Sequence, residues 1–288
     1  MLFAEFMKNI LVVFLSFLSF FSFAFADEIT ADKVFVSTPQ YSPELTDFKP
    51  ALGKYEYSVT WAGIPAATVT LEVLKERYNY KVTTNVKSSR GVSLFYKLKY
   101  NAEGLISAIN FRPLNAKIDL NENSKIKKAI ITYSNDGFVK SHYQVNDREP
   151  IEMNFDPKNN MLDPFSAAFI ARSLNWEPKV TRYFDTFNGK TRYLISFTAV
   201  DKIKMEINNQ RRDVWVIEPA VKKLTTTKNE QKLRKAKIYV TADEAREIIK
   251  INSEVFIGSV NTKLVSFMPS QVDQTSTIAL NKKIEYNF

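Results

Sequence analysis

The sequence contains no cysteine among its 288 residues. Disulfides, thiolate nucleophiles and metal–thiolate centres are thereby excluded, and no cysteine can carry an N-terminal lipid. Histidine occurs once, at His142. A zinc site would have to be carboxylate-rich, and no suitable cluster of Asp and Glu stands out. Seven glycines argue against glycine-cradled phosphates and low-complexity linkers. Neither a Gly-x-Ser-x-Gly elbow nor a His-Glu-x-x-His motif is present. His142 falls with Lys140 and Gln144 on the polar side of an alternating segment. It has no implied orienting partner, so it reads as a solvated strand residue rather than a general base. Asp163 reads as a helix cap. With nucleophile, base and oxyanion parts this sparse, the sequence predicts no catalytic residue, no metal site and no cofactor.

What is present begins with an export signal. Lys8 precedes a hydrophobic run from Ile10 to Phe23, and Ala24-Phe25-Ala26 is a small-x-small cleavage site. The run is too short to span a bilayer comfortably. Met7 opens a more typical signal than Met1 does. The predicted mature chain starts near Asp27 in the periplasm. Loss of residues 1–26 removes one acid, Glu5, and one base, Lys8, so the net charge of +9 is unchanged. The remaining length suffices for a core without covalent staples. Residues 27–53, with Pro39, Pro43 and Pro50, read as an extended arm. Residues 54–268 read as the main domain, and 269–288 as a C-terminal segment.

Strand alternation is clean from residue 55 onward. Tyr55, Tyr57, Val59 and Trp61 alternate with Glu56, Ser58 and Thr60, and Ala67, Val69, Leu71 and Val73 with Thr68, Thr70 and Glu72. Tyr78, Tyr80, Val82 and Val86 form a third strand, and Leu94, Tyr96, Leu98 and Tyr100 a fourth. A weaker strand near Ile106–Phe111 precedes a polar stretch from Asn121 to Lys128. Asp136-Gly137 and Asn188-Gly189 mark two tight hairpins. Thr241–Arg246 reads as a polar turn. No internal repeat of twenty to fifty residues recurs.

One helix interrupts this pattern. Asp163 is a suitable N-cap, and Pro164 fits the first turn, where its missing N–H costs nothing. Through Leu174 the segment is apolar nearly all round, with Ser166 and Ser173 sharing a narrow polar stripe and Arg172 standing apart. Such a helix is expected to be enclosed. The predicted fold class is all-β and mainly antiparallel: a barrel-like body or large curved β-sandwich of about a dozen strands, with one buried or plugging helix at about 163–175.

Several stretches together resemble the DUF3108 family of exported bacterial proteins of unknown function. They are Tyr55-x-Tyr57-x-Val59-x-Trp61-x-Gly63-Ile64, Leu162-Asp163-Pro164-Phe165-Ser166-Ala167, Val214-Trp215, Tyr239-Val240-Thr241-Ala242-Asp243, and Gly258 to Phe267. Ala66-Ala67 stands where a glycine is expected. The resemblance covers roughly residues 53–268 and implies a periplasmic β-rich protein. It implies no catalytic residues.

Function is expected to lie in interior space rather than in a reactive side chain. A barrel with an apolar interior can hold a hydrophobic or amphipathic, lipid-like ligand, gated by the helix. The cavity candidates are Phe165, Phe169, Ile170, Leu174, Trp61 and Tyr57. A basic segment, Lys222, Lys223, Lys228, Lys232, Arg234, Lys235 and Lys237, contains one acid, Glu230. It reads as a solvated hairpin tip or as a contact with an anionic membrane surface. Nucleic acid fits the charge but not the compartment. A structural or interaction module with a filled core is the alternative. So is an outer-membrane-inserted barrel, because Leu280, Ile284, Tyr286 and Phe288 alternate up to the terminal residue.

Overall fold

Burial follows the alternation strand by strand. In β1 (Gly53–Trp61), Tyr55, Tyr57 and Val59 are buried and Lys54 is exposed. In β6 (Lys125–Tyr133), Ala129, Ile131 and Tyr133 turn inward while Lys128 and Ile130 turn outward. One face of each pleat therefore builds the interior. The computed structural model describes residues 35–157, 160–224, 235–254, 258–270 and 283–288. The predicted export signal, and Lys228, Lys232 and Arg234 of the basic segment, lie outside the described residues.

The remaining strands are β2 (Ile64–Glu76), β3 (Asn79–Ser88), β4 (Leu98–Ser107), β5 (Pro113–Glu122), β7 (Val139–Val145) and β8 (Ile151–Phe155) in the first half of the domain. The second half holds β9 (Met161–Leu162), β10 (Thr181–Phe187), β11 (Arg192–Ile207), β12 (Gln210–Lys223), β13 (Lys235–Thr241), β14 (Ile248–Glu254), β15 (Ser259–Pro269) and β16 (Ile284–Glu285). Among the described residues, two short helices are α1 (Arg90–Ser93) and α2 (Pro164–Ser173).

All sixteen strands among the described residues belong to one sheet, ordered β8-β7-β6-β5-β4-β3-β2-β1-β15-β14-β13-β12-β11-β10-β9, with β16 attached to β15. Two meanders are thus joined where β1 pairs with β15, and every pair is antiparallel except β9–β10. The two edges, β8 and β9, are consecutive in the chain. The short link between them spans about 20 Å at most, so the sheet must curl until its edges approach. Side chains rather than a ladder close the gap. Ser141 Oγ donates to the Gly189 carbonyl at 2.6 Å, and the Phe155 and Phe187 rings lie 4.9 Å apart. Gly189, at φ +91°, sits so close to β6 that a Cβ there would meet Ala129 Cβ at 2.5 Å. The fold is a curved open sheet with a barrel-like interior.

The structure departs from the alternation in three places. The strand expected from Leu94 begins only at Leu98, because residues 90–93 form α1; Tyr96, Leu98 and Tyr100 are buried, whereas Leu94 is exposed. The strand expected near 106–111 ends at Ser107, and Phe111 is buried in a turn at φ 54°. The polar stretch 121–128 is the β5–β6 hairpin, where Lys127 is buried and its Nζ meets Glu122 Oε2 at 3.0 Å. The long β11–β12 hairpin turns at Asn208 and Asn209, both at positive φ, a conformation asparagine tolerates.

Candidate ligand-binding site around the interior helix

Helix α2 follows the edge strand β9 and is held at both ends by side chains. Asp163 Oδ1 accepts from Phe165 N–H at 2.6 Å and Ser166 N–H at 2.9 Å, and its Oδ2 accepts from Ser166 Oγ at 3.1 Å. At the other end no glycine is available to form a left-handed cap, and Leu174 is extended at φ −78°, ψ 148°. Arg246 satisfies the exposed carbonyls instead: its Nη1 donates to Arg172 O and Leu174 O, each at 2.6 Å. Arg172 returns the contact, donating to Arg246 O at 2.7 Å and Ala245 O at 2.8 Å. Both serines of the polar stripe are buried; Ser173 Oγ donates to Ile170 O at 2.7 Å.

The helix has two unlike apolar faces. On one, Phe165 packs so tightly over Gly104 of β4 that a Cβ there would lie 2.6 Å from the ring. Phe169 joins Phe48, Tyr80 and Phe111 at ring separations of 6.2, 5.5 and 5.6 Å, with the Arg172 guanidinium 5.8 Å from its own ring. Phe48 belongs to the N-terminal arm, which is anchored by Lys49 N–H to Glu244 O at 2.8 Å. On the other face, Pro164, Ala167, Ala168 and Ala171 stand opposite Ile195, Phe197, Ile217, Ile238, Val240 and Ile248 of β11–β14. Small side chains facing large ones leave an apolar cavity of about 40 Å³. Ala168, Arg172 and Ile248 are half-exposed at its rim.

The sequence-predicted cavity residues occupy other positions. Phe165, Phe169, Ile170 and Leu174 are buried, as is Tyr57, whose phenol burial pushes well above its ordinary pKa. Trp61 is half-buried at the end of β1. None of these six belongs to the lining of the apolar cavity, which is drawn from the alanine face and the inner side of β11–β14. Alanines i, i+1 and i+4 on an apolar helix were the available signal; their role depends on which strands face them. Of the basic residues, Lys222, Lys235 and Lys237 are exposed and Lys223 is half-exposed, with Lys237 Nζ 3.9 Å from Glu218.

Two polar clusters flank the helix. Asp185 and Arg192 form a fully buried ion pair, Arg192 Nη2 to Asp185 Oδ2 at 2.5 Å. Burial also raises the Asp163 carboxyl to about 6, against the lowering effect of its capping bonds. The second cluster anchors the C-terminal strand. Arg212 pairs with Asp243 and lies 3.8 Å from Glu247, which accepts from Tyr286 Oη at 3.0 Å. Asp243 also accepts from Thr241 Oγ1 at 2.9 Å within the expected polar turn. His142 has the partner the sequence did not imply: its Nδ1 meets Glu152 across β7–β8, on the exposed face. A second cavity, of about 360 Å³ and mixed polarity, lies at the far end of the strands beside Arg112, Asn110, Asn160 and Tyr133.

Among solved structures, a β-barrel-like protein of domain of unknown function DUF1849 from Brucella abortus is similar, with a TM-score of 0.52 at 7% identity, covering 75% of this chain and 97% of that one. A putative exported protein with YmcC-like fold from Bacteroides fragilis NCTC 9343 matches at a TM-score of 0.32 and 10% identity, over 78% of this chain and 98% of that one. The first likeness shows the fold alone. No curated protein matches. The model of DUF3108, a protein family of unknown function, matches residues 56–265, and the chain belongs to that family.

Proposed function

We propose that this is an exported, non-catalytic protein of the cell envelope that holds the aliphatic chain of an amphipathic molecule between α2 and the inner face of β11–β14. The apolar cavity at the alanine face carries the reading. Protein interiors are close-packed, and voids larger than a water molecule are few. Apart from Arg172 at the rim, the wall is aliphatic and aromatic, and a void so lined offers water few polar partners and favours apolar contents. At about 40 Å³ it is roughly a quarter of the ~150 Å³ cavity that admits benzene. It therefore takes the slim end of a chain, and deeper entry requires α2 to shift. The half-exposed rim at Ala168 and Arg172 leaves a polar head outside, beside a guanidinium.

The export signal supports an envelope location. Outward-facing Lys99, Glu103, Lys117, Lys128 and Lys140 are charges that a lipid-facing band excludes, and they favour a body outside the bilayer over an inserted barrel. A fluorescent fatty acid, titrated into purified mature protein, tests the reading. Wild type should bind it saturably, and Ala171→Leu, which fills the void, should abolish binding while raising Tm. Equal binding by both proteins would remove the cleft as the site. The small volume of the void favours a second reading, a structural module with a filled core. That reading predicts no probe binding by wild type and no lipid in native mass spectra of protein taken from the periplasm.

A further inference from the structure

The β3–β4 connection displays apolar side chains instead of burying them, and its geometry is fixed. Ser89 caps α1, its Oγ accepting from Val92 N–H at 3.4 Å and donating to the Pro65 carbonyl at 2.7 Å. Val92 and Tyr96 are buried, and Tyr96 Oη donates to Glu122 Oε1 at 2.6 Å. The Val92 carbonyl accepts from both Phe95 N–H and Tyr96 N–H, at 3.0 and 2.8 Å. Pinned on both sides, the turn projects Leu94 and Phe95, 81% and 67% exposed. The neighbouring β1–β2 turn, tied on by Ser89 N–H to Ala66 O at 2.9 Å, adds Ile64 at 57% exposure. Contiguous exposed apolar side chains ringed by polar ones mark an interaction surface.

The ring here is cationic. No Asp or Glu occurs from Arg77 to Ala102. Lys87, Arg90, Lys97 and Lys99 are exposed around the tip, and none belongs to an ion pair among the described residues. Lys87 and Lys99 face each other directly across β3–β4. Like charges in that position oppose the pairing, and an anion placed against both relieves the repulsion. The antiparallel order brings the ends of β12 and β13 to the same end of the sheet, so Lys222, Lys223 and Lys235 share this rim, with Glu254 of β14 opposite Lys235.

We propose that this rim docks on an anionic lipid bilayer, with Leu94, Phe95 and Ile64 entering the boundary between headgroups and acyl chains. Lys87, Arg90, Lys97 and Lys99 then lie against lipid phosphates. A tip with exposed apolar side chains inside a cationic collar matches the chemistry of a membrane interface, where apolar burial and attraction to anionic lipid add together. Leu94 and Phe95 stand on a turn and Ile64 opens β2 beside another, so a fluid planar surface receives them without a complementary knob. The inference is independent of the cleft beside α2.

Sedimentation of the full mature protein with vesicles tests it. Wild type should bind phosphatidylcholine vesicles containing phosphatidylglycerol at least about tenfold more tightly than pure phosphatidylcholine, and high salt should remove most of that difference. The double variant Leu94→Ser/Phe95→Ser, compared at a temperature where its own melting curve shows it folded, should weaken vesicle binding by about tenfold or more. Leu94→Trp should give a blue-shifted emission on adding anionic vesicles. Ala171→Leu should leave vesicle binding unchanged, which separates this surface from the cleft. Failure of wild type to sediment with either vesicle, or equal binding by the Ser variant, overturns the proposal. So does an effect of the Ser variant confined to recovery with envelope proteins, which would assign the tip to a protein partner.

Discussion

Replacing Asp163 by asparagine removes one ionisable group from the interior while keeping a residue that caps helices equally well. The carboxyl is fully buried, and burial raises it from 3.8 to about 6. The folded state therefore holds this proton more tightly than the unfolded chain does. The resulting stabilisation is complete below about pH 4 and is lost as pH rises through about 6. Two pKa units correspond to about 3 kcal/mol. Urea unfolding followed by tryptophan fluorescence, stepped from pH 4 to 7.5, measures it, with buried Trp176 beside the helix as a reporter. Wild type should lose about 2–3 kcal/mol relative to Asp163→Asn across that range. Burial, with Asp163 and Asp185 nearby, raises the Tyr133 phenol so that it stays protonated throughout this range, and comparing the two proteins cancels the contribution of Asp185. Parallel pH profiles, or a wild type that gains on the variant as pH rises, would refute the reasoning.

Phe169→Ala should destabilise by about 3–5 kcal/mol, since the ring meets three other aromatics in the interior; a near-neutral midpoint in urea would show that the cluster repacks. Arg192→Met should cost about 3–5 kcal/mol by leaving the buried Asp185 carboxylate unpaired. Asp185→Leu in the same chain should recover most of that loss, and an uncorrected double variant would mean that the pair shapes the β10–β11 hairpin in some other way. Gly104→Ala should cost about 1–3 kcal/mol, because the added methyl meets the Phe165 ring at 2.6 Å. An unchanged Tm would indicate that the ring moves aside freely.

Period-two alternation identified most strands because one face of the sheet is buried along nearly its whole length, as in β1, β3 and β6. It failed where a turn competed with the pattern. Leu94 keeps the parity of Tyr96 and Tyr100, yet the capped turn at Ser89 rotates it into solvent. The α2 segment was legible because Asp163-Pro164 is a strong start signal and because no side of the helix is polar enough to face water. Its stop was not: the residue that satisfies its last carbonyls, Arg246, is more than seventy positions away. The His142–Glu152 contact likewise depends on the β7–β8 register.

By itself, the sequence determined that the chain is β-rich, lacks thiol chemistry and carries one enclosed helix, because alternation, composition and capping are local properties of consecutive residues. Only the tertiary structure decided that the sheet stays open yet curls, that α2 turns its alanines rather than Phe165 and Phe169 to the void, and that Leu94 and Phe95 stand beside Lys87, Lys97 and Lys99. Those outcomes depend on the β1–β15 pairing and on which strand each face of α2 meets, and contacts between residues so far apart along the chain leave no periodic trace in it.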